Sequence, residues 1–133
     1  EESNQGRVYI FTRTATGLWS ETQKVNASDA SGNAFLGTFL SLSGDGTLLA
    51  VGAYGDSANR GATFLFTRNS TGHFNQLQPK LSGNDASAGN VLQGYSLSLS
   101  KDGSLSSSAE LSTIRMRVQC GRISATPLAS LHK

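Results

Sequence analysis

A unit of about 55 residues occurs about twice in this chain of 133, and no other feature restricts the fold as much. Gly6-Arg-Val-Tyr-Ile-Phe-Thr-Arg13 lies over Gly61-Ala-Thr-Phe-Leu-Phe-Thr-Arg68, and Thr16-Gly17-Leu18-Trp19 over Thr71-Gly72-His73-Phe74. After a one-residue insertion, Lys24-Val25 meets Lys80-Leu81 and Asp29-Ala30-Ser31 meets Asp85-Ala86-Ser87. Gly37 then meets Gly94, Leu40-Ser41-Leu42-Ser43 meets Leu97-Ser98-Leu99-Ser100, and Asp45-Gly46 meets Asp102-Gly103. Chance similarity between Ser/Gly-rich stretches would not keep so many other identities in one order.

Each unit reads as four short strands. Arg7–Thr14 holds Val8-Tyr9-Ile10-Phe11, apolar on both sides as in a strand covered on both faces. Thr16-Gly17 marks a turn, and Leu18–Val25 is the second strand. Thr38–Ser43 is the third, with Leu40 and Leu42 on one face and Ser41 and Ser43 on the other. Asp45-Gly46 predicts a hairpin turn with left-handed dihedrals, leading to a fourth strand over Thr47–Ala53. Four strands in a unit of this size is the pattern of a propeller blade; a small β-sandwich with internal similarity is the alternative. The fold expected is all-β: about two four-stranded antiparallel blades, with residues 6–60 as the first, 61–105 as an incomplete second, 1–5 as an N-terminal remnant and 106–133 as an irregular tail. Ring closure takes roughly four to eight blades, so the chain is expected to be a fragment whose partners include neighbouring blades of a parent protein.

Composition and charge narrow the function classes. Only 15% of residues are charged, and no apolar run approaches the roughly 20 residues of a membrane span. The net charge of +2 comes from the tail: residues 1–105 carry seven Lys/Arg against eight acids, and residues 106–133 four against one. The body therefore has no cationic stripe of the kind nucleic acid requires, and no nucleic-acid partner is expected. The one cysteine, Cys120, excludes an internal disulfide framework.

Several phrases resemble FG-GAP repeat proteins, which are related to the propeller of integrin alpha subunits. They are Gly6-x-Val-Tyr-Ile-Phe-Thr-Arg13, Gly17-Leu-Trp-Ser-Glu-Thr-Gln-Lys24, Ala27-Ser-Asp-Ala-Ser-Gly-Asn33, Phe35-Leu-Gly37 and Leu42-Ser-Gly-Asp-Gly-Thr-Leu-Leu-Ala-Val-Gly-Ala53. The resemblance covers about residues 6–105. It departs from the family where the Phe-Gly pair is spread as Phe35-Leu36-Gly37, becoming Leu92-Gln93-Gly94, and where Gly52-Ala53-Tyr54 lacks the proline of the Gly-Ala-Pro element. The resemblance implies a propeller of about seven blades in a secreted or cell-surface protein, and binding or adhesion rather than chemistry.

The second unit breaks after Leu105, where Ser106-Ser107-Ser108-Ala109-Glu110 replaces the apolar strand. By the register of the first unit, a third would open near position 118. Codons for Met116-Arg-Val-Gln-Cys-Gly-Arg-Ile-Ser124 can be chosen so that reading one base earlier gives Asn-Ala-Gly-Ala-Val-Trp-Ala-Tyr-Phe. Residues 106–133 are accordingly expected to be an out-of-frame tail, with a divergent native segment as the alternative.

Candidate sites are sparse. The resemblance to integrin-type propellers raises calcium, and the nearest oxygen-rich loop is Asp29, Ser31 and Asn33, with Asp85 and Ser87 as a partial copy; an ordinary Asp/Ser turn is the competing reading. Asp56 is expected at a turn. Asn26-Ala-Ser28 and Asn69-Ser-Thr71 fit the N-glycosylation sequon. Trp19, Phe74, Tyr9 and Phe64 could form a carbohydrate platform, but their strand positions favour packing between blades. No catalytic residue is expected: His73 sits at a turn, His132 and Cys120 lie in the tail, and no acid–base pair or nucleophilic triad recurs. The expected function is a non-enzymatic binding or adhesion module of an extracellular propeller, with a protein or carbohydrate ligand. The alternatives are a scaffold portion of a larger extracellular enzyme and a non-functional remnant of a frameshifted gene.

Overall fold

The computed structural model describes residues 4–83 and 92–101 with their side chains, and 105–108, 113–119 and 122–127 as backbone strands. The first repeat supplies β1 (Val8–Arg13), β2 (Trp19–Val25), β3 (Phe39–Leu42) and β4 (Leu48–Ala53), each within about one residue of its sequence-based bounds. The second supplies β5 (Ala62–Arg68), β6 (Phe74–Gln76), β7 (Ser96–Leu99) and β8 (Leu105–Ser108). β9 (Thr113–Gln119) and β10 (Arg122–Pro127) come after them.

The strands form three antiparallel sheets, ordered β1-β2, β3-β4-β5-β6 and β7-β8-β9-β10. The sequence-based partition into 6–60 and 61–105 is corrected by this pairing. β4 does not pair with β1; it pairs with β5 of the next repeat, Leu49 opposite Phe66 and Val51 opposite Phe64. Each four-stranded blade therefore combines the second hairpin of one unit with the next hairpin along the chain. The expectation of an irregular tail is also corrected, since β9 and β10 extend the third sheet beside β8.

The sheets stack. One face of the central sheet carries Leu49, Val51, Phe64, Phe66 and Phe74 against Val8, Val25 and Ile10 of the first sheet. Its other face carries Ala50, Leu65 and Leu48 against Leu97 and Leu99 of the third. Covered on both sides, β4 and β5 are buried almost throughout, which is why their sequences are apolar without alternation. Full burial of Phe64, Leu65 and Phe66 contributes roughly 2–3 kcal/mol each. Polar side chains fasten the first sheet to the second: the Gln23 carboxamide donates to the Phe74 carbonyl and accepts from its N–H, both at 2.7 Å.

The repeat is visible in backbone detail. The Phe35-Leu36-Gly37 segment docks on the chain ahead of β1, Phe35 N–H donating to Asn4 O (3.1 Å) and Leu36 N–H to Gln5 O (2.7 Å). Leu92-Gln93-Gly94 repeats this ahead of β5, Leu92 N–H donating to Asn59 O (3.1 Å) and Gln93 N–H to Arg60 O (2.9 Å). Phe35 and Leu92 share a left-handed φ of 53°.

Gly52 is required by close approach: a Cβ there would collide with the Gly94 backbone, where the second loop crosses the central sheet. The β3–β4 turn differs from the expected primed hairpin. Gly46 alone is left-handed (φ 72°), and Ser43 pairs with Leu48 across a four-residue loop, Ser43 N–H donating to Leu48 O at 2.8 Å.

Candidate functional site

Three connections meet at one end of the central sheet: β2 to β3, β4 to β5, and β6 to β7. Asp56, from the second, has its carboxylate fully buried between the other two. Lys80 Nζ reaches its Oδ1 at 2.6 Å. Ser31 N–H donates to Oδ2 (2.8 Å), and the Ser57 hydroxyl donates to Oδ1 (2.6 Å). The Lys80 ammonium also touches Ser31 Oγ (3.2 Å) and Ser57 Oγ (3.1 Å), so it stands as a built-in cation in an oxygen cage. To aim this carboxylate inward, the chain makes a left-handed turn over Ser57, Ala58 and Asn59, with φ of 52°, 59° and 66°. Three consecutive non-glycine residues in this region cost roughly 1–2 kcal/mol each, a cost set against the buried ion pair.

The residues of the expected calcium loop each have protein partners. Asp29 accepts from Gln76 Nε2 (2.6 Å) and from Lys80 N–H (2.7 Å), Ser31 serves Asp56, and Asn33 Oδ1 accepts from Asn4 N–H (2.9 Å). Burial pushes the Asp29 carboxyl up, but the donors from Lys80 and Gln76 outweigh it and hold the group below its ordinary value. Among the described residues, no group of three or more His, Cys, Asp or Glu gathers to hold a metal. The hydrogen bonds of Asp29, Ser31 and Asn33 tie the β2–β3 connection to its neighbours. Asp85 and Ser87 lie outside the described residues, as do Cys120 and His132.

Beside the Asp56 cage runs a row of aromatic rings. Phe35 stacks on Tyr54 (5.2 Å between centroids, 4° between planes), Tyr54 meets Tyr95 edge-on at 6.0 Å, and Tyr95 leans on Phe39 at 5.5 Å. Phe35, Phe39 and Tyr95 are exposed. The four rings come from the two repeat-closing loops, the start of β3 and the end of β4, and they form a continuous apolar strip about one ring wide. Sequence reasoning weighed a carbohydrate platform at Trp19, Phe74, Tyr9 and Phe64 and favoured packing between blades instead. Of its members, Phe64 and Phe74 are buried between sheets, while Tyr9 and Trp19 are exposed on the outer face of the first sheet.

The sequon asparagines differ in use. Asn26 is exposed at the end of β2. Asn69 turns the β5–β6 hairpin, its Oδ1 accepting from Thr71 N–H (3.0 Å), Thr71 Oγ1 (2.7 Å) and His73 N–H (2.9 Å). His73 is exposed there, as a turn residue.

Stacked four-stranded antiparallel sheets, joined by hairpins exchanged between repeats, define a blade-repeat protein of the β-propeller class. Residues 19–66, running from the start of β2 to the end of the apolar run in β5, match the family model described as the FG-GAP repeat. A search of the curated proteins finds no match. No described helix is long and apolar enough to cross a membrane.

Proposed function

We propose that this chain is part of a non-enzymatic binding module, with the strip Phe35–Tyr54–Tyr95–Phe39 as its ligand surface. The observation that supports this most is the exposure of mutually contacting rings beside a buried ion pair. Such a strip offers flat apolar area at low entropic cost, as carbohydrate and peptide ligands need. The Asp56 and Lys80 charges beneath it are saturated by one another and by Ser31 and Ser57, which suits a positioning role better than proton transfer. FG-GAP repeats are generally protein-interaction modules and are typical of extracellular or surface proteins. That background supports an adhesive role outside the cell, in the manner of integrin alpha propellers.

The test is binding of the full chain to arrayed glycans and immobilised extracellular-matrix proteins, with Tyr54→Ala/Tyr95→Ala alongside. The reading requires at least one ligand whose affinity falls tenfold or more in the double variant while far-UV circular dichroism is retained. Binding that ignores the two tyrosines, or turnover of a bound ligand, contradicts it.

A further inference from the structure

The outer face of the first sheet is built unlike the faces that meet inside the molecule. β4 and β5, covered on both sides, carry no charged residue before Arg68. On the outer face of β1 and β2, rings alternate with charges. Strand pairing sets Tyr9 beside Lys24, Phe11 beside Glu21 and Arg13 beside Trp19, and directly opposed residues share a face. Tyr9, Phe11 and Trp19 are 47%, 53% and 67% exposed. By strand geometry the three rings run diagonally across the hairpin in steps of about 7 Å. An apolar sheet does not cover such a face without burying its charges, which is costly.

At the Tyr9 end the row leads into a cleft of about 690 Å³, lined by Asn4, Gln5, Arg7, Tyr9 and Asn26 among others. That size is ordinary for a ligand site. Asn4, Gln5, Arg7 and Asn26 are all exposed. Carboxamides donate and accept at once, as sugar hydroxyls do, and a guanidinium offers paired donors to a carboxylate. The charge along the row leans one way. Three cations, Arg7, Arg13 and Lys24, accompany the rings against one acid, Glu21. Lys24 Nζ lies 3.8 Å from Glu21 and stands 5.8 Å over the Tyr9 ring.

We infer that the row Trp19–Phe11–Tyr9 and the cleft at Arg7 together bind a linear acidic polysaccharide, with uronate residues as its charged units. The aromatic rings take the C–H faces of successive sugars. Arg7 takes a carboxylate through two N–H donors, and Lys24 supplies a point charge beside Tyr9. A uronate suits this pattern because its carboxylate sits at the rim of the sugar ring and leaves the C–H faces bare for stacking. The site shares no residue with the Phe35–Tyr54–Tyr95–Phe39 strip, and the inference does not depend on that strip.

The test titrates the full chain with an oligogalacturonate hexamer and follows the emission of its one tryptophan, Trp19. A saturable change is expected, and added salt weakens the binding. The carboxyl-reduced hexamer, which keeps the sugar faces and loses the charge, binds at least tenfold more weakly. Arg7→Gln/Lys24→Gln removes that preference; both residues are exposed, and far-UV circular dichroism checks that the fold is kept. The inference is overturned by unchanged Trp19 emission at millimolar hexamer, by equal affinity for the reduced hexamer, or by a preference that survives the double variant. An emission change that follows chain concentration without sugar overturns it too, since that assigns the face to a second copy.

Discussion

Asp56 and Lys80 lie 24 positions apart and form a buried ion pair. The carboxylate is wholly buried and accepts from Lys80, Ser31 and Ser57. Removing the ammonium leaves that charge without its counterion, so Lys80→Met lowers unfolding stability by about 3 kcal/mol, at the lower end of the usual range because the lysine side chain keeps some solvent contact. Asp56→Leu/Lys80→Met recovers a large part of this, as urea titrations of the three proteins will show. A second carboxylate works locally. Ser43 Oγ, Thr47 N–H and Thr47 Oγ1 all donate to Asp45 Oδ1, at 2.7, 3.0 and 2.8 Å, and hold the Asp45 carboxyl at about 2. A depressed folded-state pKa favours the folded chain above the unfolded value near 4 and loses that contribution as pH falls to about 2. The urea midpoint difference between wild type and Asp45→Asn is therefore constant above pH 5 and shrinks between pH 4 and pH 2. Asp45 was readable from its Asp-Gly pair, although the turn it makes is not the primed one. Asp56 was not readable, because a partner 24 residues distant leaves no local pattern. The recurrence of Lys24 and Lys80 at equivalent positions was the one available signal.

Among the elements, β4 and the turn after it are the most constrained. β4 is an inner strand of the central sheet and passes directly over the Gly94 backbone at Gly52. Gly52→Ala places a methyl against main-chain atoms that cannot retreat, and costs about 1–3 kcal/mol in urea unfolding. The turn at 57–59 responds in the opposite direction. Ala58 is exposed at φ 59°, so Ala58→Gly relieves left-handed strain and raises stability by up to about 1 kcal/mol, measurable as a higher urea midpoint. The strand limits were legible because apolar runs and Gly-bearing turns are local signals, and β1 to β4 fall where those signals place them. The turn was not, since Asp-Ser-Ala-Asn has no intrinsic left-handed preference strong enough to predict it. Tertiary contacts from Ser31 and Lys80 impose it.

For the molecule as a whole, the repeat reveals the length of the unit but not where a sheet begins. Any starting point along a periodic sequence describes the same period, and only strand pairing decides which four strands share hydrogen bonds. Hairpin exchange between units is a consequence of that pairing, and it ties consecutive blades into one continuous stack. The stacking explains why β4 and β5, covered on both faces, lack a polar face, while Tyr9 and Phe11 on the outer face of the first sheet are exposed. The aromatic strip was missed for the same reason: Phe35, Tyr54 and Tyr95 are brought together only when two repeat-closing loops converge beside the end of β4.

Backbone NOEs in the isotopically labelled chain test this exchange of hairpins directly. Cross-strand contacts between Leu49 and Phe66 and between Val51 and Phe64 are predicted. Contacts pairing Leu48–Ala53 with Val8–Arg13 instead would place all four strands of one repeat in a single sheet and contradict the account.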